Sequence, residues 1–288
     1  MKLLNFQRDN QIRLGVKTEQ GIIDVQKVAD ALEVNIPCIM EDVIAGGSAT
    51  LSQLQTIIEK TEDFISEEGI QYAPVVTKPE KIICVGLNYI NHAEESKMAI
   101  PTSPVLFNKF NNSLAAHQDQ ITLPKGAEKF DYEAELVIVI GKETNNISEQ
   151  DALTHVFGYT VGNDVSARDL QFRTPQWLLG KALDQFAPIG PYLVTADEVD
   201  DPTNLDIKCK VNGELRQSAN TRDMIFSCAT IVSYISKYIT LQPGDLIFSG
   251  TPDGVILGYP EDKQVWLKSG DEMTVSIEKI GTLNNVLT

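Results

Sequence analysis

The chain has 288 residues, of which 42% are hydrophobic and 22% charged, a composition that excludes general disorder and leaves a folded protein of one large domain, alone or with a small companion. Lysine and arginine number 24 against 40 aspartates and glutamates, giving a formal net charge of −16. The excess is spread along the chain, which speaks against nucleic acid and anionic membrane as partners. Cys38, Cys84, Cys209 and Cys228 lack C-x-x-C spacing and suggest neither a zinc knuckle nor a disulfide framework. The N-terminal stretch turns polar by Arg8, before a signal-peptide core develops, and no apolar run reaches bilayer length. The expectation is a cytoplasmic protein.

Residues 1–75 read as a small separate module. Two short strands, 12–17 and 21–25, flank a Glu-Gln-Gly turn, and apolar spacing predicts helices over 26–33 and 49–65. The extended stretch 72–79, with Pro74 and Pro79, makes a junction to residues 76–288. There, 81–86 reads as a buried strand, followed by a segment carrying His92 and Glu95. Three residues apart on a helix, they share a face and suit a base and its orienting carboxylate; on an exposed helix the same spacing carries no function. His117, in a polar loop, and His155, in a short helix opened by Ser148, have no catalytic neighbour in sequence, and surface or structural roles are expected.

Residues 130–141 read as a buried strand bearing two carboxylates. Glu133 and Glu135 fall on one face, about 6.6 Å apart along the strand, close enough to share a divalent cation. The other reading of Glu-x-Glu is the wet face of an amphipathic strand. Asp164, where an apolar strand ends in a polar turn, is the candidate third carboxylate, with a turn or cap role as its alternative. Arg168 reads as a surface ion pair, and Lys181, among apolar residues, as an anion contact or a side chain reaching for water. A hairpin over 205–218 pivots on Asn212-Gly213. Thr221 is expected to open a helix with Met224, Cys228, Ile231, Ile235 and Ile239 on its core face. The run Ser249-Gly250-Thr251-Pro252-Asp253-Gly254 reads as a plain turn or as a loop whose amides and Thr251 hydroxyl face an anion. Alternating strands over 271–278 and 282–286 close a sheet, and neither a repeat nor a phosphate-binding glycine loop is present.

Taken in order, Gly86-Leu87-Asn88-Tyr89 with His92 and Glu95, Tyr132-Glu133-Ala134-Glu135, Asn163-Asp164-Val165-Ser166-Ala167-Arg168-Asp169, Lys181 with Asp184 and Pro188, and the 249–254 loop resemble the fumarylacetoacetate hydrolase family. The resemblance runs from about residue 80 to the end and is to the bacterial and domain-containing, acylpyruvase-like members. It implies an α+β protein with a mixed β-roll catalytic domain and a small α/β N-terminal module, usually a homodimer, with Mg²⁺ or Mn²⁺ held by Glu133, Glu135 and Asp164. Hard oxygen donors without thiolate or imidazole suit these ions. It further implies that the segment around His92 and Glu95 is a lid that brings this pair to activate water, Lys181 as a third catalytic group, and Arg168, Gln171, Gly250 and Thr251 as substrate contacts; the short polar helix, prolines and sparse apolar residues over 90–103 suit such a lid. Residues 86–92 contain no acidic residue, whereas the fumarylacetoacetate-cleaving members carry a metal-associated aspartate there. This favours the smaller acylpyruvate-type enzymes.

The function expected from the resemblance is divalent-metal-dependent hydrolysis of a C–C bond in a 1,3-dicarbonyl acid, an acylpyruvate or fumarylpyruvate-like anion. Oxaloacetate decarboxylation and 2-oxo-acid isomerisation would use the same metal-stabilised enolate. A non-catalytic metal- or metabolite-binding protein is the reading from another class.

Overall fold

The computed structural model describes residues 1–95 and 98–288. The strand Ala134–Ile140 sits in the middle of a large mixed sheet. It pairs antiparallel with Val156–Asn163 on one side and Leu246–Phe248 on the other. The sheet continues from Leu246–Phe248 through the parallel strand Ile82–Gly86 to Val105–Lys109. In the other direction it runs through Leu193–Thr195 to Lys2–Arg8, Gln11–Thr18 and Gly21–Asp24.

Every residue of Ala134–Ile140 is buried because the sheet is covered on both faces. Leu136, Ile138 and Ile140 enter a core with Ile207, Met273 and Val275 of a second, five-stranded sheet and with Ile231 and Ile235 of the helix Cys228–Ser236. Val137 and Val139 point the other way, into a second core that also holds Val28, Val43 and Leu54 of the helices Val25–Ala31 and Met40–Lys60. Side-chain alternation along the strand thus divides its residues between two cores. Each fully buried aliphatic side chain contributes about 1.5–3 kcal/mol. This is the expected α+β, mixed-sheet architecture.

Residues 1–75 share both a sheet and a core with the rest of the chain. Lys2 and Leu3 pair with Val194 and Leu193, and Leu3, Leu14 and Val16 pack in the cluster that holds Val137 and Phe248. The strand Lys2–Arg8, absent from the sequence reading, makes this join. Two helix boundaries also differ. Met40–Lys60 begins earlier than expected, bridging the Gly46-Gly47 pair by a kink at Gly47 with φ of 55°. The helix expected from Thr221 starts instead at Cys228, capped by Ser227, whose hydroxyl accepts from the Thr230 N–H at 3.2 Å. Thr221–Asp223 is a separate 3-10 turn opened by Asn220, and Ile239 lies beyond the helix, exposed. No described helix is long and apolar enough to cross a membrane.

His117 supplies a structural reading with a pH consequence. Its Nδ1 accepts the Asn284 N–H at 3.1 Å and its ring meets Tyr72 edge-on at 4.7 Å. Burial pushes its pKa down from 6.5 to about 4. The unfolded chain therefore binds the proton more readily, so this histidine's contribution to stability is complete above about pH 6.5 and is lost as pH falls toward 4. Melting curves of wild type and His117→Gln at pH 7 and 5 should show the smaller acid loss in the variant. Equal losses would place the acid sensitivity elsewhere.

Candidate active site

Antiparallel pairing of Ala134–Ile140 with Val156–Asn163 puts Ala134 opposite Asn163 and Glu135 opposite Gly162, so the end of one strand meets the start of the other. Glu133 precedes the first and Asp164 follows the second. The Asp164 N–H donates to the Glu133 carbonyl at 2.9 Å, and the Glu133 N–H donates to Asn163 Oδ1 at 2.9 Å. Glu133, Glu135 and Asp164 are all buried, and each offers an oxygen within 4.8 Å of the others. The expected strand is interrupted here: Phe130–Asp131 pairs separately with Ser166–Ala167, and the ladder resumes at Ala134.

No basic residue adjoins these carboxylates in sequence, yet the fold brings three cations to them. Lys181 Nζ lies 2.7 Å from Glu133 Oε2 and 3.0 Å from Asp164 Oδ2. Arg168 Nη2 lies 2.7 Å from Glu133 Oε1 and 2.9 Å from Asp131 Oδ2. Lys109, fully buried, lies 2.7 Å from Asp164 Oδ1. Its N–H groups go instead to the carbonyls of Val165, Lys181 and Phe186, so that contact is Coulombic and Asp164 Oδ1 receives no directed hydrogen bond.

The electrostatics are uneven. Burial alone would raise the Glu133 carboxyl, but Lys181 and then Arg168 outweigh it and hold Glu133 well below the usual carboxylate range. Glu135 is pushed well above that range by burial and by Asp164 and Glu133 beside it, with one N–H, from Gly250 at 2.7 Å, in partial compensation. Lys181 is raised because Asp164 and Glu133 together outweigh its burial. A carboxylate lacking a cation of its own and an Asp164 oxygen without a directed donor, within a set of hard oxygens, fit a divalent cation. Glu133, Glu135 and Asp164 would hold it.

Glu133 and Glu135 form part of a cavity of about 660 Å³ that His92, Glu95, Lys181, Arg168, Gln171 and Thr251 also line, with Asp164 buried beside them. His92 Nδ1 lies 2.9 Å from Glu95 Oε1. Glu95 also accepts the Gly254 N–H at 3.0 Å, which ties the helix Ile90–Glu95 to the loop after Leu246–Phe248. The lid expected over 90–103 includes Ser96 and Lys97, which lie outside the described residues. Gln171 Oε1 accepts from Arg168 Nη1 at 2.9 Å, and Thr251 Oγ1 accepts from Gln217 Nε2 at 2.9 Å. Gly250, with φ of +101°, stands apart from the cavity wall. Its N–H serves Glu135, and a Cβ there would come within 2.6 Å of Asn88 Cβ.

Sequence reasoning did not single out Lys109 or Asp131. It also did not single out the apolar wall made by Phe107 and Trp177, whose rings meet at 5.4 Å. Asp131 carried a signal, since alternation extends Glu135 and Glu133 back to it. Lys109 ends an ordinary short strand, and only pairing with Ile82–Gly86 brings it inward.

The sequence model described as fumarylacetoacetate (FAA) hydrolase C-terminal matches residues 81–288. A Dictyostelium discoideum protein named fumarylacetoacetate hydrolase domain-containing protein 2 homolog is 52% identical over 95% of this chain and 92% of its own length. A Xenopus laevis protein named oxaloacetate tautomerase fahd2, mitochondrial, is 40% identical over 99% of this chain and 89% of its own. Among solved structures, maleylpyruvate hydrolase from Sphingobium, in complex with manganese(II) and pyruvate, superposes with a TM-score of 0.83 at 30% identity, covering 100% of this chain and 99% of that one. The expectation of a cytoplasmic protein does not stand against the mitochondrial name of the Xenopus relative. A polar start argues against secretory export alone and does not discriminate among internal compartments.

Proposed function

The chain belongs to the fumarylacetoacetate hydrolase family, and from that premise we propose that it is a divalent-metal-dependent enzyme forming the enolate of a small 2-oxo acid, with keto–enol interconversion of oxaloacetate as its reaction. The observation that carries this reading is a buried cluster of three carboxylates, of which Glu133 and Glu135 line one cavity together with a histidine–glutamate dyad. The name of the Xenopus relative supports the choice of oxaloacetate.

When bound, Mg²⁺ or Mn²⁺ supplies Lewis acidity at the 2-oxo-carboxylate end and lowers the energy of the enolate. The chain's own groups move the proton. In the tautomer with its proton on Nδ1, His92 donates to Glu95 Oε1 and keeps the Nε2 lone pair for the cavity. That nitrogen takes a proton from C3 of the keto acid, the C–H electrons become the C2–C3 double bond, and the same proton, returned from His92 directly or through water, is taken up by the C2 oxygen, so the histidine ends as it began. Ketonisation is the reverse. Lys181 and Arg168 steady the negative charge that develops.

A second reading is hydrolysis of an acylpyruvate-type substrate, favoured by the Sphingobium neighbour and by the dyad itself. There, His92 would deprotonate a water that attacks the distal carbonyl, the C–C bond would break, and the pyruvate enolate would take up a proton. The test is to follow three reactions with Mg²⁺ or Mn²⁺: ketonisation of enol-oxaloacetate, pyruvate release from oxaloacetate, and cleavage of maleylpyruvate and simple acylpyruvates. Ketonisation is expected to be fastest. Inactivity on all substrates with either ion would leave a binding protein. EDTA should abolish turnover, and either ion should restore it; full activity in excess chelator would remove the metal from the proposal.

A further inference from the structure

Asp131 lies outside the cavity wall, yet it is fully buried and binds both the site and one side of that wall. Its Oδ2 accepts from Arg168 Nε at 2.9 Å, lies 2.9 Å from Arg168 Nη2, and accepts the Leu257 N–H at 3.0 Å. Its Oδ1 accepts the N–H groups of Ile256 at 2.8 Å and Tyr132 at 3.0 Å. The same guanidinium reaches Glu133 through Nη2 at 2.7 Å. Ile256 and Leu257 begin the 3-10 turn Ile256–Gly258, and Leu257 and Gly258 of that turn, with Tyr259 just after it, form part of the cavity.

We propose that Asp131 is a positioning residue that sets the affinity of the carboxylate site for a divalent cation. It does so by sharing the charge of Arg168, which would otherwise pair with Glu133 alone, while its other bonds hold the 256–258 turn. The inference rests on the proposed function in treating Glu133, Glu135 and Asp164 as a cation site. Among the described residues of this cluster, four carboxylates face three cations, leaving one excess negative charge when all are ionised. Removing the charge of Asp131 cancels that excess and commits Arg168 to Glu133. Both effects oppose an incoming cation.

Asparagine is a severe test despite its shape. Each oxygen of Asp131 faces only donors, so whichever way the amide turns, its NH₂ group meets N–H groups. Mn²⁺ titration of metal-free protein, read by electron paramagnetic resonance, should show at least tenfold weaker binding in Asp131→Asn. Hydrogen exchange at Ile256 and Leu257 should be faster. The double variant Asp131→Asn/Arg168→Gln removes a buried charge pair together and returns the cluster to one excess negative charge. Its Mn²⁺ affinity should recover to within about threefold of wild type.

A merely structural role predicts the opposite order, with the double variant binding no better than the single one. If Asp131→Asn does not fold, the double variant carries the test: affinity near wild type supports the inference, and a loss beyond tenfold overturns it. Unchanged Mn²⁺ affinity in a folded Asp131→Asn, with binding intact in wild type, overturns this inference alone. A wild-type protein that binds no Mn²⁺ overturns it together with the reading beneath it.

Discussion

His92→Ala should lower enolisation of oxaloacetate by about 10²–10⁴-fold, the loss typical of removing a positioned general base. His92 is 6% exposed, held by Glu95 and placed in the cavity that Glu133 and Glu135 also line. Decarboxylation of oxaloacetate needs an electron sink but no base at C3, so with the carboxylates intact it should persist at a substantial fraction of its wild-type rate. Acylpyruvate cleavage, which must activate water, should fall with enolisation. Mn²⁺ binding, measured alongside, should be unchanged. Near-wild-type enolisation would show that another group moves the proton and would undo the role assigned to the dyad. Parallel loss of decarboxylation would mean that His92 also positions the substrate.

Glu135→Gln should separate stability from function. The residue is buried, close to two other carboxylates, and its carboxyl is held well above its ordinary range. Because the folded state grips this proton more tightly than the unfolded chain, whose glutamate titrates near 4.5, Glu135 costs no stability below that pH and progressively more above it. Glutamine keeps the oxygen that accepts the Gly250 N–H and has no charge to lose. Metal-free Glu135→Gln should therefore melt higher than wild type at pH 8, with a smaller gap at pH 5. Added Mn²⁺ should reverse the order, since an ion at a hundred times its dissociation constant stabilises the protein that binds it by about 2.7 kcal/mol. A metal-free variant that melts below wild type at both pH values would show that the carboxylate is not under the strain described.

The apolar strands were legible because their pattern is local. The run from Leu136 to Ile140 announces cover on both faces, and both covers are present. Asn212-Gly213 announces a hairpin, with φ of 50° and 80° at its two residues. The acidic half of the site was legible for the same reason, since Glu133 and Glu135 are two residues apart and Asp164 ends the neighbouring strand. The basic half was not. Lys109 is 55 residues from Asp164 in the chain and meets it only through tertiary packing. Arg168, read from its surroundings as a surface pair, is 3% exposed because Asp131 and Glu133 compensate its charge below the surface. Helix ends failed where a breaker was absorbed, as at the Gly47 kink, or where Ser227 out-competed Thr221 as the cap.

The pairing of Lys2 and Leu3 with Val194 and Leu193 bears on what counts as the smallest stable unit of this protein. The match to the family model begins at residue 81, which invites cutting the chain there. Such a cut would turn Leu193–Thr195 into an edge strand, with unpaired backbone groups open to a neighbouring molecule. It would also remove Val43, Leu54 and the rest of residues 1–75 from the core that holds Val137 and Val139, opening apolar surface to water. Residues 1–75 cover an edge and an apolar face that the remainder of the chain would otherwise present to its neighbours.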